Sequence, residues 1–368
     1  MPEPFARDLE RTRLQLAEWF EPKLPDATNV TVSELAKPAG SGYSSDTLIF
    51  DLSYSEAGEM RSRKAVIRIE PDPAAFCVFP FYDVGIQFEL MKALGERSDV
   101  PVPKMLWRER DRAVLGGPFY VMGHVPGQIP ADNPPFPTEG FVFEASPAQR
   151  EKLWWSGVEA MTRVHEVDWK SLGIERLSWS HLGATPIERH LRFYERYFEW
   201  AKRGQPQPVA EAALDWLERN MPVGEPVGLC WGDARIGNQI FQHFEVAALL
   251  DWEMATVGNP VLDLSWWLFV DEVNMRGNGI PGMERPRLEG LPGHEATVAC
   301  WEELLDRKAE HLHYYKVFAG FRFAAVMIRI MQQQVAYGTF PEEIGVVLER
   351  NNVVTQLLAE MLDLPAPE

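Results

Sequence analysis

The 368-residue sequence predicts an α+β chain of two lobes, a small β-rich one over residues 1–123 and a larger, mostly helical one over 124–368. Three observations carry this. Short β-branched runs broken by Gly, Ser and Pro crowd the first third, as consecutive antiparallel strands do. Long amphipathic patterns fill the remainder. Between them lies a Pro- and Gly-rich span, residues 123–147. The length suits two cores, because single domains usually run to ~100–200 residues.

Taken in order, residues 5–20 place Leu9, Leu14, Leu16, Trp19 and Phe20 among charges, predicting a lead-in helix that stops near Pro22 and Pro25. Strands follow at 30–35, 47–52 and 65–69, then a helix at 86–94, then strands near 105–108, 113–115 and 119–122. Helices are predicted at 148–167, 186–203, 209–220, 294–305, 308–334 and 341–362, and residues 275–292 read as a long surface loop. A β-rich insert at 227–230, 239–241 and 246–250 interrupts the helical half.

Composition narrows the partners. A net charge of −18 repels polyanions, which argues against nucleic acid. The apolar stretches at 262–270 and 317–331 are short or interrupted by Arg322 and Arg329, below the ~20 clean residues of a membrane span. Three cysteines without short spacing suit a reducing cytoplasm better than a disulfide scaffold or zinc site. The first residues show no basic start followed by an apolar run, so secretion is not expected.

The insert reads Trp231-Gly-Asp233-Ala-Arg235-Ile-Gly-Asn238, then a hairpin, then Leu250-Asp251-Trp252-Glu253. Phosphoryl transfer needs a carboxylate to orient or deprotonate the attacking hydroxyl, and oxygen ligands for a Mg²⁺ that bridges the phosphates. Asp233 suits the first task, and Asn238 with Asp251 the second. Each residue alone could equally satisfy turn backbone groups. The ordered trio is what points to chemistry.

This segment resembles the catalytic and magnesium loops of aminoglycoside phosphotransferase and choline kinase-like enzymes, His-Gly-Asp-x-x-x-x-Asn followed by an Asp. Trp-Gly-Asp-Ala-Arg-Ile-Gly-Asn and Leu-Asp-Trp-Glu-Met-Ala are most similar to the kinase-like domains fused to some acyl-CoA dehydrogenases. The resemblance covers about residues 30–362 and implies a protein-kinase-like two-lobed fold. It also implies that Trp231, standing where the family usually has His, packs under the loop, and that Asp263 in Gly-Asn-Pro-Val-Leu-Asp braces it. Arg235 is expected to support the same loop.

Residues 39–45 lie between two predicted strands, where glycines would let backbone N–H groups reach phosphates. Gly40, Ser41, Gly42, Tyr43 and Ser44 are therefore expected over the nucleotide, although such a stretch alone reads equally as a turn. Ala65-Val-Ile-Arg68 resembles the kinase Val-Ala-Ile-Lys strand, making Arg68 the candidate phosphate clamp, with Gln87 expected to accept from it. Residues 119–127 resemble the hinge strand that reads adenine, which puts Met122 and His124 beside the nucleotide.

The expected activity is transfer of the γ-phosphoryl of ATP, with GTP an open alternative, to a hydroxyl of a small molecule docking near Glu253. Mg²⁺ is the expected cofactor. Trp231, Arg68 and Gln87 depart from the family pattern and keep a nucleotide-binding regulator, a pseudokinase, as the alternative. A metal-dependent hydrolase is a third reading, which the hinge-like and Gly-rich segments disfavour.

Overall fold

Alternation along two neighbouring strands decides how the first half folds. The computed structural model describes residues 7–38, 46–72, 74–277 and 284–367. Strands β1 (Ala27–Val32), β2 (Asp46–Glu56), β3 (Glu59–Ile69), β4 (Met105–Glu109) and β5 (Phe119–Gly123) form one antiparallel sheet in the order β1-β2-β3-β5-β4. Leu48, Phe50, Leu52, Ala65, Ile67, Ile69, Phe119 and Val121 cover one face and cluster with Leu16, Trp19 and Phe20 of helix α1 (Leu9–Phe20). Successive side chains point to opposite faces. Val66, Tyr120 and Met122 therefore face the other way, joining the apolar cluster of helix α2 (Val84–Arg97) and the helical half. Arg68 shares that face and pairs in register with Tyr120.

Two expectations here need correction. Residues 113–115 are not a strand but part of a one-turn helix, α3 (Arg112–Leu115), started by the Asp111 carboxylate accepting from Ala113 N and stopped by Gly116 at φ 83°. Strands two and three are also longer than the apolar runs suggested, because their distal halves carry solvent-facing polar residues.

The helical half contains α4 (Phe141–Glu144), α5 (Pro147–Glu166), α6 (Pro186–Lys202), α7 (Pro208–Arg219), α8 (Val261–Met275), α9 (His294–Leu305), α10 (Leu312–Ala336), α11 (Glu342–Arg350) and α12 (Val353–Met361). Between α7 and α8 lie two small antiparallel pairs, β6 (Gly228–Cys230) with β9 (Thr256–Gly258), and β7 (Gln239–Gln242) with β8 (Glu245–Leu249). The single helix expected over 341–362 is two, because the Asn352 side chain accepts from Val354 N and Thr355 N and restarts the chain as a cap. Helix α8 is not among the predicted elements: every residue from Val261 to Asp271 in it is buried, so this stretch lacks amphipathic periodicity. Among the described residues, no helix is long and apolar enough to cross a membrane.

Candidate active site

The loop between β6 and β7 carries the first carboxylate. Gly232 adopts φ 94°, and a Cβ there would lie 2.0 Å from the Met254 carbonyl oxygen, so only glycine fits the approach to Asp233. Asp263, near the start of α8, accepts from Trp231 N at 2.6 Å and Gly232 N at 2.8 Å. His165 on α5 also touches Asp263, at 3.0 Å through Nε2. Trp301 Nε1 donates to His165 Nδ1 at 3.1 Å, which leaves the proton on Nε2 and aims it at Asp263. This fully buried carboxylate is thus satisfied on both oxygens. Trp231 is buried, packs against Trp252, and donates its indole N–H to Leu250 O at 2.7 Å.

The Asp233 carboxylate is held by three donors. Trp266 Nε1 reaches Oδ1 at 2.6 Å, while Asn238 Nδ2 at 2.6 Å and Arg235 Nε at 3.2 Å reach Oδ2. Arg235 NH1 also binds both oxygens of Asp132, at 2.6 and 2.7 Å. Burial works against the Arg235 charge, but Asp233 and Asp132 outweigh it and raise its pKa. Asp233 is therefore orientationally fixed.

Asn238 and Asp251 come together through the backbone, since Leu250 N donates to Asn238 O at 2.8 Å. Leu249 N donates to Pro101 O at 2.8 Å, tying the end of β8 to the segment that follows α2. Asp251 itself sits at φ 57°, a left-handed conformation that Asp tolerates better than most side chains. The Asn238 amide nitrogen is spent on Asp233, which leaves its oxygen as the donor for a metal. Among the described residues, no group of three or more His, Cys, Asp and Glu side chains could hold a metal. Asn238 and Asp251 are two oxygen donors that this site offers an ion. That donor set fits Mg²⁺, which keeps waters and takes phosphate oxygens rather than filling an all-protein cage.

Arg68 crosses from the sheet to this site. Its NH2 lies 2.9 Å from Asp251 Oδ1 and 3.4 Å from Glu253 Oε2. Burial opposes its charge, yet Asp251, Tyr120 and Glu253 raise its pKa overall. Burial likewise pushes the Tyr120 hydroxyl up to about 12, with Arg68 opposing. Gln87 is buried on α2, and the hydrogen bond it makes among the described residues is from the Tyr120 hydroxyl, at 3.5 Å, not from Arg68. The expected Arg68–Gln87 pair is thus corrected: two carboxylates out-compete a neutral amide for the guanidinium.

Met122 lies inside β5, opposite Val66 and Met105. His124 follows the strand, and its backbone N–H is committed to Lys64 O at 3.1 Å. Beyond it, Gln128 and Phe241 exchange backbone hydrogen bonds at 2.9 and 2.8 Å, pinning the connecting segment to β7. Gly40, Ser41, Gly42, Tyr43 and Ser44 lie outside the described residues. Trp266 and Asp132 escaped the sequence reading, the first inside an unbroken apolar run, the second in a Pro-rich loop without any motif.

A family model described as the phosphotransferase enzyme family matches residues 37–302. The chain belongs to that family. The chain is 28% identical over 303 residues to an acyl-CoA dehydrogenase candidate of Arabidopsis thaliana, covering 78% of this chain and 35% of that one. It is 31% identical over 217 residues to human acyl-CoA dehydrogenase family member 11, covering 55% of this chain and 26% of that one. The chain therefore spans only about a quarter to a third of the length of these relatives. Among solved structures, an aminoglycoside phosphotransferase candidate of Ralstonia eutropha superposes with TM-score 0.64 at 21% identity, over 95% of this chain and 96% of that one. An aminoglycoside phosphotransferase in ternary complex with streptomycin and ATP superposes with TM-score 0.51 at 14% identity, over 92% of this chain and 97% of that one. These likenesses establish the kinase-like two-lobed fold.

Proposed function

We propose that the protein transfers the γ-phosphoryl group of ATP to a hydroxyl of a small metabolite. The observation that carries this reading is the fixed Asp233 carboxylate beside Asn238, one hydrogen bond away from the Asp251 turn. Asp233 takes or orients the proton of the attacking hydroxyl. Asn238 and Asp251 would hold Mg²⁺, which when bound would neutralise the charge that develops during transfer. Arg68 grips phosphate oxygens with a planar fork of donors. Since Arg68 already pairs with Asp251 and Glu253, nucleotide entry must share or replace that pairing. Residues 39–45 are assigned to cover the phosphates, and Met122 and His124 to border the adenine.

ATP is preferred over GTP because a relative in fold is solved with ATP. Three free cysteines support a reducing compartment such as the cytoplasm. The acceptor is placed near Glu253, whose charge suits a cationic or hydroxylated ligand. Release of ADP is measured with Mg–ATP and a panel of hydroxylated metabolites. Release that depends on one acceptor is expected. Acceptor-independent release would make the protein an ATPase, and nucleotide binding without release would favour the regulatory pseudokinase reading instead.

A further inference from the structure

Helix α10 runs through apolar surroundings, yet it carries Arg322 at 3% exposure. Burying a guanidinium costs several kcal/mol unless it is well paired, and a hydrophobic residue of similar size often packs as stably or better. The contacts that offset this charge are unusual. Arg322 NH2 donates to Gly232 O at 2.9 Å, and the guanidinium lies 4.6 Å from the Trp266 ring centre, 4.8 Å from Tyr194 and 5.9 Å from Phe318. Its Nε has no hydrogen-bond partner among the described residues. Burial raises the pKa of the Tyr194 hydroxyl, with Arg322 opposing and Asp233 adding to the rise, so both charges act on the same ring.

Two of these contacts lead to Asp233. Gly232 precedes it in the chain at φ 94°, and Trp266 donates its indole N–H to Asp233 Oδ1 at 2.6 Å. We propose that Arg322 is a positioning residue for phosphoryl transfer, fixing the Gly232 carbonyl and the Trp266 indole and, through both, the Asp233 carboxylate. The proposal rests on Asp233 being the group that faces the acceptor hydroxyl.

Arg322→Met tests it in the full chain. Single-turnover transfer is expected to fall about 10–100-fold while Mg–ATP affinity and acceptor KM stay within about 2-fold, because a small misplacement of a reacting group acts on the chemical step. Arg322→Lys, which keeps a cation against the rings, should recover most of that rate. A folded Met variant with wild-type transfer overturns the proposal. If the Met variant does not fold, Arg322→Lys and Arg322→Gln replace it: Lys turning over faster than Gln supports the role, and equal rates overturn it.

Amide exchange over residues 229–238 needs no turnover. Faster exchange in a variant whose melting temperature is unchanged supports the inference, and identical exchange overturns it. A wild type that transfers to no acceptor would sink the phosphotransferase reading of Asp233 while leaving the exchange comparison to decide on Arg322.

Discussion

Asp233 and Asp251 are both carboxylates on neighbouring turns, yet their surroundings differ in kind. Asp233 is oriented by Trp266, Asn238 and Arg235 with an acceptor position left over, whereas Asp251 pairs with Arg68 across the lobes. A group so firmly oriented suits an acceptor hydroxyl, while one that already holds a cation suits a metal. Asp233→Asn should leave Mg–ATP affinity nearly unchanged and lower transfer by ~10²–10⁴-fold, because only the proton-accepting charge is lost. Asp251→Ala should weaken Mg–ATP binding as well as turnover. Calorimetric titration alongside single-turnover transfer separates the two. Comparable loss of nucleotide affinity in both folded variants would refute this division of labour. For Arg68→Ala, two effects oppose: a phosphate contact disappears, while Asp251 is released for the metal. A charged hydrogen bond contributes about 1.5–3 kcal/mol, so the contact should win and titration should show affinity falling roughly 10-fold or more. Affinity unchanged or improved would retire Arg68 as the clamp.

Among the elements, the legible ones were those whose pattern is local. The helices at 294–305 and 186–203 are predicted almost to the residue, since their signals are local, and the second carries a Thr185–Glu188 capping box at its start. Helix α8 was illegible for the opposite reason, being buried on every side, and with it went Trp266. Asp233, Asn238 and Asp251 can be named as candidates from the sequence because the spacing of the motif is itself sequence-local. The carboxylate partners of Arg68 cannot be assigned that way, because Asp251 and Glu253 lie more than 180 positions away in the chain. The break between α11 and α12 depends on one residue. Asn352→Ala should lower stability by about 0.5–2 kcal/mol, read as a drop of a few degrees in melting temperature, with transfer unaffected. An unchanged melting temperature would mean that packing, not the cap, sets this boundary. Gly232→Ala should be far more damaging. Its Cβ would meet the Met254 carbonyl at 2.0 Å, so the β6–β7 loop must shift and transfer should be lost even where circular dichroism shows a retained fold.

At the scale of the whole molecule, the acid side of the stability curve should be governed partly by His190, a buried residue of α6 that faces β9. Its Nε2 lies 2.8 Å from Thr256 Oγ1, and Trp179 packs edge-on against the ring. Burial lowers its pKa to about 3, helped by the charges of Arg322 and Arg189 and opposed by a hydrogen bond at Val257. The unfolded chain takes up this proton near pH 6.5, whereas the folded protein resists it until about 3. Between those values the unfolded state binds more protons, so stability is full above about 6.5 and declines as the pH falls, by up to roughly 1.4 kcal/mol per unit. Carboxylates titrate in the lower part of the same window, so the residue must be isolated by comparison. His190→Asn removes the titration while keeping a hydrogen-bonding side chain at Thr256. Its melting temperature should fall less steeply than that of the wild type between pH 6.5 and 5, where few carboxylates contribute. Parallel slopes would show that His190 does not control acid unfolding. Since β9 pairs with β6, which leads directly into Trp231 and Gly232, a local opening that exposes His190 lets it take up the proton, so acid should favour opening of the active-site loop before the chain unfolds as a whole. Amide exchange over residues 229–238 at pH 5 should therefore rise, relative to pH 7 and after correction for intrinsic rates, in the wild type but not in His190→Asn.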